Sequence, residues 1–124
     1  VDPAADWLVV PVPLHPRRRR EREFNQAELI GRGLTLRRGW PMVPALRRVR
    51  YTQRQARLDR SDRLKNLRDA FVPARSARHR EILHDRPVLL IDDVLTTGAT
   101  ASTCAGILKN LGAAKVVVVT AVRG

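Results

Sequence analysis

The sequence predicts a single α/β domain built on a mainly parallel sheet, and three stretches of the chain carry this prediction. Residues 7–13 form a short apolar run, rich in β-branched residues and ended by prolines, which is typical of a buried strand. Residues 88–91 and 116–122 are two further apolar strands, and residues 99–111 between them are predicted to form a helix. Apolar strands on either side of a helix indicate a parallel sheet covered on both faces.

The helix ends are predicted from spacing and from glycines. Apolar residues recur at helical spacing from Phe24 onward, and Gly39 with Pro41 ends that first helix. Gly112 follows the last helix at the position where a C-terminal cap glycine is expected. The first strand and the first helix therefore form one unit, and the strand–helix–strand stretch at the C-terminus forms another.

The middle of the chain has a weaker pattern. Short strands are predicted at residues 43–49 and 70–72, and residues 75–86 are predicted to be a basic connector. Residues 50–68 are rich in Arg, Gln and Asp, and they are long for a structureless loop, which indicates a functional lid, a short helix or disorder. We expect a flexible loop over the site there, with Thr52, Gln53, Gln55 and Arg63 as its site residues.

The charge of the chain predicts an acidic partner. There are 24 Lys and Arg residues against 12 Asp and Glu residues in 124 residues, a formal net charge of +12. Phosphorylated substrates, nucleic acid and acidic membrane surfaces all fit this balance. Nearly all the cations are arginines, which bind phosphate in a bidentate manner, although genomic base composition gives the same bias.

The cysteine content and the length of the apolar runs indicate the compartment in which the protein is expected. Cys104 is alone, so neither an intrachain disulfide nor a cysteine-based zinc site is expected, and we expect Cys104 to be a small buried residue of a helix. No run approaches the roughly 18 apolar residues of a membrane span, so no membrane partner and a cytoplasmic location are expected. The chain begins at Val1 without an initiator Met, so we expect a fragment of a longer protein.

The richest motif is the segment 91–100, Ile-Asp-Asp-Val-Leu-Thr-Thr-Gly-Ala-Thr. It places Asp92 and Asp93 at the carboxyl end of a strand, which is the edge where ligands bind in open parallel sheets. Backbone N–H groups at the start of the next helix form an anion site, Gly98 allows close approach, and Thr97 or Thr100 can cap the helix. The predicted ligand-binding residues are Val94, Leu95, Thr96, Thr97, Gly98, Ala99 and Thr100.

The acid pair suits vicinal hydroxyls or a magnesium ion. The alternative is structural: residues 96–100 only cap a helix, and the two acids are solvated residues at a strand end. The strand before the motif and the helix after it favour the ligand site.

This motif resembles the phosphoribosyl-pyrophosphate signature of type I phosphoribosyltransferases. Three further segments, residues 10–16, residues 24–29 and the group around Thr52 and Gln53, narrow the resemblance to the ComF-like family linked to bacterial DNA-uptake competence. The resemblance runs from about Trp7 to the C-terminus. It implies the type I phosphoribosyltransferase fold, phosphoribosyl pyrophosphate as ligand and magnesium as cofactor.

The resemblance also implies roles for individual residues. Asp92 and Asp93 would hold the ribose hydroxyls at the catalytic centre, residues 96–100 would hold the 5-phosphate, and His15 and Arg17 would meet the pyrophosphate with magnesium. Family members usually carry an N-terminal zinc-binding segment, which this sequence lacks. Where the family generally has a glycine before the Phe-Asn-Gln triplet, this chain has Glu23, an acid that would repel pyrophosphate unless it points away or binds magnesium.

Two functions of different classes remain open. The first is an enzyme that displaces pyrophosphate from the ribose C1 by a nitrogen nucleophile, and no residue identifies the acceptor. The second is a non-catalytic DNA-handling protein that keeps the fold and binds nucleic acid through its basic surface. Trp40 and Tyr51 are too few for a stacking platform, so DNA contacts would be made mainly to phosphates. Nothing in the sequence predicts an oligomeric state.

Overall fold

The computed structural model describes residues 5–13, 26–49, 70–75, 77–95 and 98–123. In chain order its elements are β1 (Leu8–Pro11), α1 (Gln26–Arg38), β2 (Leu46–Arg48), β3 (Phe71–Pro73), α2 (Ala77–Leu83), β4 (Pro87–Leu95), α3 (Ala99–Asn110) and β5 (Lys115–Arg123).

A parallel sheet of three strands organises the described chain, in the order β1-β4-β5. Leu8 of β1 lies opposite Val88 of β4, and Val88 lies opposite Val116 of β5. Each strand reaches the next through a helix or a longer connection, as parallel pairing requires. The sheet confirms the α/β prediction. The strands β2 and β3 form a separate antiparallel pair.

The two faces of the sheet pack against different layers. On one face, side chains of β1 and β4 pack with α3 and with the β2–β3 pair; the members include Leu8, Val10, Val88, Leu90, Phe71, Cys104 and Leu108. On the other face, the alternate residues of the same strands pack with α1 and Trp40; the members include Trp7, Val9, Leu89, Ile91 and Ala27. Because side chains alternate along a strand, the continuous apolar runs of β1 and β4 serve both faces at once.

The strand β5 departs from the prediction of burial on both faces. Val116, Val117 and Val119 are only half-buried, and Val118 is 38% exposed. The reason is its position, because β5 lies at an edge of the described sheet and has a paired neighbour on one side.

Glycines end two helices as predicted. Gly39 has φ 73° and donates its N–H to the Thr35 carbonyl at 2.9 Å after α1. Gly112 has φ 109° after α3, and its N–H donates to the Lys109 carbonyl at 3.0 Å while the Ala113 N–H donates to the Leu108 carbonyl at 3.1 Å. That pair of bonds is the Schellman motif, which a residue without a Cβ adopts most easily. Within the described residues, no helix is long and apolar enough to cross a membrane.

Three predicted boundaries were wrong. The basic connector at 75–86 contains the helix α2, which forms because Ile82 and Leu83 pack into the core. The strand expected at 88–91 continues to Leu95, because β5 pairs with β4 beyond the acidic residues. The strand expected at 43–49 is limited to β2.

Candidate ligand-binding site

The carboxyl end of β1 lies beside the middle of β4, next to the residue that precedes the acid pair. Pro11 lies opposite Ile91, and the N–H of Val12, one residue past the end of β1, donates to the Ile91 carbonyl at 2.8 Å. The chain that leaves β1 toward His15 therefore starts beside Asp92, at the edge where parallel sheets bind ligands.

Gly98 joins β4 to α3 in a conformation that side chains disfavour. Its φ of 78° and ψ of −2° are left-handed, whereas N-cap residues usually have extended φ and ψ, and among the described residues no side chain makes the cap hydrogen bond. The first helical bond runs from the Ser102 N–H to the Gly98 carbonyl at 2.9 Å. The N–H groups of Thr100 and Ala101 precede that bond, so they have no acceptor upstream in the helix. A helix start of this kind, with the positive end of the helix dipole, attracts anions.

The capping role considered for Thr100 was wrong. Gly98 is the N-cap residue, and Thr100 lies inside the first turn of α3, where its side chain makes no cap hydrogen bond. Thr97, the other candidate, lies outside the described residues. A glycine at the cap leaves the helix start open for an external acceptor.

Asp92 is the buried acid at this edge. Its exposed fraction is 8%, and it is the one charged residue in the buried core of the described chain. Asp92 lies opposite Thr120 of β5 and follows Leu90 on the same face of β4, so it lies toward the layer that contains α3. Burial of a carboxylate is costly unless a partner compensates it, which marks this position as unlike the rest of the strand.

The pKa of Cys104 in α3 is affected by the charge of Asp92. The thiol is fully buried, and its pKa is raised from 9.0 to about 12, chiefly by this burial. The negative charge of Asp92 contributes to the rise, while the positive charge of Arg48 opposes it. The prediction that Cys104 is a small buried residue is confirmed, and a thiol that stays protonated is a poor nucleophile.

Arg48 is a residue that the sequence analysis missed. It lies over the ring of Phe71, its opposite residue in the β2–β3 pair, with 5.2 Å from the guanidinium carbon to the ring centroid. The available signal was the spacing of two from Leu46, because residues two apart in a strand share a face and Leu46 is buried. The result is an arginine close enough to the layer under Asp92 to affect the same thiol.

The predicted site residues fall into two groups. Within the described chain are Asp92, Asp93, Val94 and Leu95 in β4, Gly98 at the cap, and Ala99 and Thr100 at the start of α3. Outside it are His15, Arg17, Thr52, Gln53, Gln55, Arg63, Thr96 and Thr97. Asp92 and Asp93 thus lie in β4 and Gly98 begins α3, and the roles assigned to all these residues stay predictions.

The described residues offer few ligands for a magnesium ion. No group of three or more His, Cys, Asp or Glu residues that could hold a metal occurs in this part of the chain. Magnesium is usually held by one or two carboxylates together with substrate phosphates rather than by a protein cage. Asp92 of β4 offers one carboxylate for that mode of binding, and magnesium stays a prediction.

Comparisons with known proteins give relatives along most of the chain. No protein-family model matches it. The chain is 37% identical over 108 residues to Competence protein F of Haemophilus influenzae, an alignment that covers 84% of this chain and 44% of that protein. It is 37% identical over 110 residues to the DNA utilization protein YhgH of Escherichia coli K12, covering 87% of this chain and 45% of the relative. The chain therefore spans less than half the length of these relatives.

Solved structures give the fold. The chain matches the glutamine phosphoribosylpyrophosphate amidotransferase of B. subtilis with a TM-score of 0.56 and 21% identity, over 97% of this chain and 22% of that one. A structure described as the allosteric regulatory enzyme of purine biosynthesis matches with a TM-score of 0.58 and 22% identity over the same shares. At these identities the likeness establishes the fold alone, and it agrees with the parallel sheet and helix layers described above.

Proposed function

Because the chain belongs to the ComF-like family and has the fold of type I phosphoribosyltransferases, we propose that it binds 5-phosphoribosyl-1-pyrophosphate at the carboxyl edge of its sheet. In the reaction we propose, a nitrogen nucleophile displaces pyrophosphate from the ribose C1. The observation that carries the proposal is the left-handed Gly98 cap of α3, which lies three residues after the last residue of the strand that contains Asp92.

The 5-phosphate is assigned to the start of α3. The N–H groups of Thr100 and Ala101 in the first turn would donate to phosphate oxygens, and the helix dipole adds a favourable field. The left-handed Gly98 has no Cβ, so the backbone can approach the phosphate closely. These features act on any phosphate monoester, so the sugar must be recognised elsewhere in the site.

The sugar is assigned to the acid pair. Carboxylates accept hydrogen bonds from vicinal hydroxyls, and Asp92 stands at the site edge with little exposure to water, where such bonds are strong. Magnesium bound with the substrate would neutralise charge on the pyrophosphate. We assign Asp92 and Asp93 of β4 to hold it together with substrate oxygens.

The leaving pyrophosphate is assigned to the chain that follows β1, with His15 and Arg17, and to the predicted loop at residues 50–68. In the reaction the C1–O bond to pyrophosphate breaks and its electron pair leaves with pyrophosphate. A new C1–N bond forms, and the nitrogen gives up a proton to solvent. Catalysis then depends on charge neutralisation and exclusion of water more than on a strong base. Arginines and a closing loop would supply both.

Isothermal titration calorimetry with phosphoribosyl pyrophosphate and magnesium tests the proposal. The variant Asp92→Asn with Asp93→Asn removes both charges at nearly constant volume, and Asp85→Asn removes an exposed charge at the other end of β4 as the matched control. We expect the double variant to bind about 100-fold more weakly, because each charge-assisted hydrogen bond contributes about 1.5 to 3 kcal/mol. If wild type, double variant and control bind with equal affinity and have the same circular dichroism spectrum, the acid pair does not bind the ligand.

A second candidate function is DNA handling, and the exposed surface favours it. Seven arginines are exposed in the described chain: Arg32, Arg37, Arg38, Arg47, Arg75, Arg78 and Arg80. The relatives are named for competence and DNA utilization, which suggests the same use for this basic surface. The acid-pair variant separates the two functions, since it should lose phosphoribosyl pyrophosphate and keep any DNA binding.

A further inference from the structure

A cavity of about 230 Å³ lies away from the proposed substrate site. It is open to solvent and is lined by the end of β3, by α2 and by Leu111 after α3, and its polar side chains are Arg75, His79 and Arg80. Leu111 ends the helix that Gly98 begins, so 13 residues separate them, or about 20 Å of helix at about 1.5 Å per residue. The cavity and the start of α3 are therefore two separate places.

The two arginines of the cavity pair with no acid among the described residues. Elsewhere in the described chain, Arg86 pairs with Asp6 at 2.8 Å and Arg48 lies over Phe71. Neither Arg75 nor Arg80 forms an ion pair within the part of the chain that the structure describes. Glu81 is the carboxylate nearest to Arg80 in sequence, and it is exposed. Two unpaired guanidinium groups at one cavity favour an anion.

His79 adds a fixed polar atom. It shares a face of α2 with Ile82 and Leu83, which pack into the core, so its ring is held against the protein. Its Nδ1 is buried and has no hydrogen-bond partner among the described residues, although buried polar atoms nearly always have one. A phosphate group suits this atom in either tautomer, because a phosphate oxygen accepts a hydrogen bond and a P–OH group donates one.

The size of the cavity limits the ligand. At about 30 Å³ per water it holds roughly seven waters, and it is smaller than the roughly 300 to 1,000 Å³ of pockets for drug-sized molecules. We propose that this cavity is a second anion site, in which Arg75, Arg80 and His79 bind the phosphate group of a phosphate monoester. The proposal is independent of phosphoribosyl-pyrophosphate binding at the start of α3.

Nuclear magnetic resonance titration of the 15N-labelled chain with inorganic phosphate tests this site. We expect saturable shifts of amides 74–80 that equimolar chloride does not produce. The variant Arg75→Gln with Arg80→Gln should bind phosphate about tenfold more weakly at these amides. The control Arg47→Gln with Arg78→Gln loses the same charge from arginines that do not line the cavity, and it should match wild type.

Two results would overturn the proposal: no saturable shift at amides 74–80, or equal weakening in the variant and the control. If the double variant does not fold, His79→Gln replaces it, and retention of wild-type phosphate affinity by that variant also overturns the proposal. A 5′-phosphorylated oligonucleotide compared with its 5′-hydroxyl form then identifies the source of the phosphate. Tighter binding of the phosphorylated form at these amides assigns the end of a nucleic acid, and equal binding assigns a free phosphate monoester.

Discussion

Replacement of Gly98 by alanine tests how far the proposed site depends on backbone conformation. An L-residue in the left-handed region costs about 1 to 2 kcal/mol, and Gly98 has φ 78°. We therefore expect Gly98→Ala to lower the free energy of unfolding by about that amount. A chain that relieves the strain by leaving this conformation also moves the N–H groups of the first turn. Phosphoribosyl-pyrophosphate affinity should then fall by about tenfold, which is about 1.4 kcal/mol.

Gly106 offers a matched control in the same helix. A Cβ built on Gly106 meets no atom within 4 Å, and the residue lies in the interior of α3. Gly106→Ala should therefore raise the free energy of unfolding by about 0.8 to 1 kcal/mol, the difference in helix propensity. The two variants should differ by about 2 to 3 kcal/mol, and only Gly98→Ala should change the affinity.

Urea denaturation followed by circular dichroism measures the stabilities, and calorimetry with phosphoribosyl pyrophosphate and magnesium measures the affinities. If Gly98→Ala is as stable as Gly106→Ala, the left-handed cap is not a constraint of the fold. If it is less stable but binds as tightly as wild type, the start of α3 does not hold the phosphate.

Three further predictions concern packing, the thiol and DNA. Gly31→Ala should be about 1 to 3 kcal/mol less stable than Gly33→Ala, as measured by urea denaturation of both variants. A Cβ at Gly31 would lie 3.0 Å from the Met42 sulfur, whereas a Cβ at Gly33 would meet no atom within 4 Å. Below pH 9 the raised pKa of Cys104 does not affect the free energy of unfolding. As pH rises from 9 toward about 12, the thiol ionises in the unfolded chain before it does in the folded one, which favours unfolding. Denaturation at several pH values should therefore show that the stability of the wild type falls more steeply than that of Cys104→Val. Any DNA affinity should fall steeply with salt in fluorescence anisotropy, since phosphate contacts dominate, and a salt-independent affinity would contradict the basic-surface assignment.

The sheet and the helix ends were predictable because their signals are local. The apolar run that contains β1 and the apolar run at 88–91 indicate strands that are buried on both faces. Gly112 likewise indicates the left-handed turn after α3. The acid pair next to a Thr-Gly sequence likewise predicted the segment to which we assign the site. These signals depend on a few neighbouring residues, so no knowledge of the tertiary structure was needed.

The misses depend on contacts between distant segments. The helix α2 lies in an arginine-rich stretch in which only Ile82 and Leu83 supply apolar residues to the core, too few to show helical periodicity. The cavity draws Arg75 and His79 together with Leu111, which is more than 30 residues further along the chain. The extension of β4 depends on pairing with β5, which only the folded sheet reveals.

Asp92 connects the stability of the fold with the proposed function. Asp92 is 8% exposed, and its charge raises the pKa of the Cys104 thiol. A carboxylate at such a position is unfavourable for stability alone, because desolvation disfavours its charged form. The positive charge of Arg48 lowers the pKa of Cys104, yet burial together with the charge of Asp92 still raises it to about 12. Residues that break the local rules of burial concentrate at functional sites. The proposed ligand site would account for an acid at this point in an otherwise apolar layer of the core.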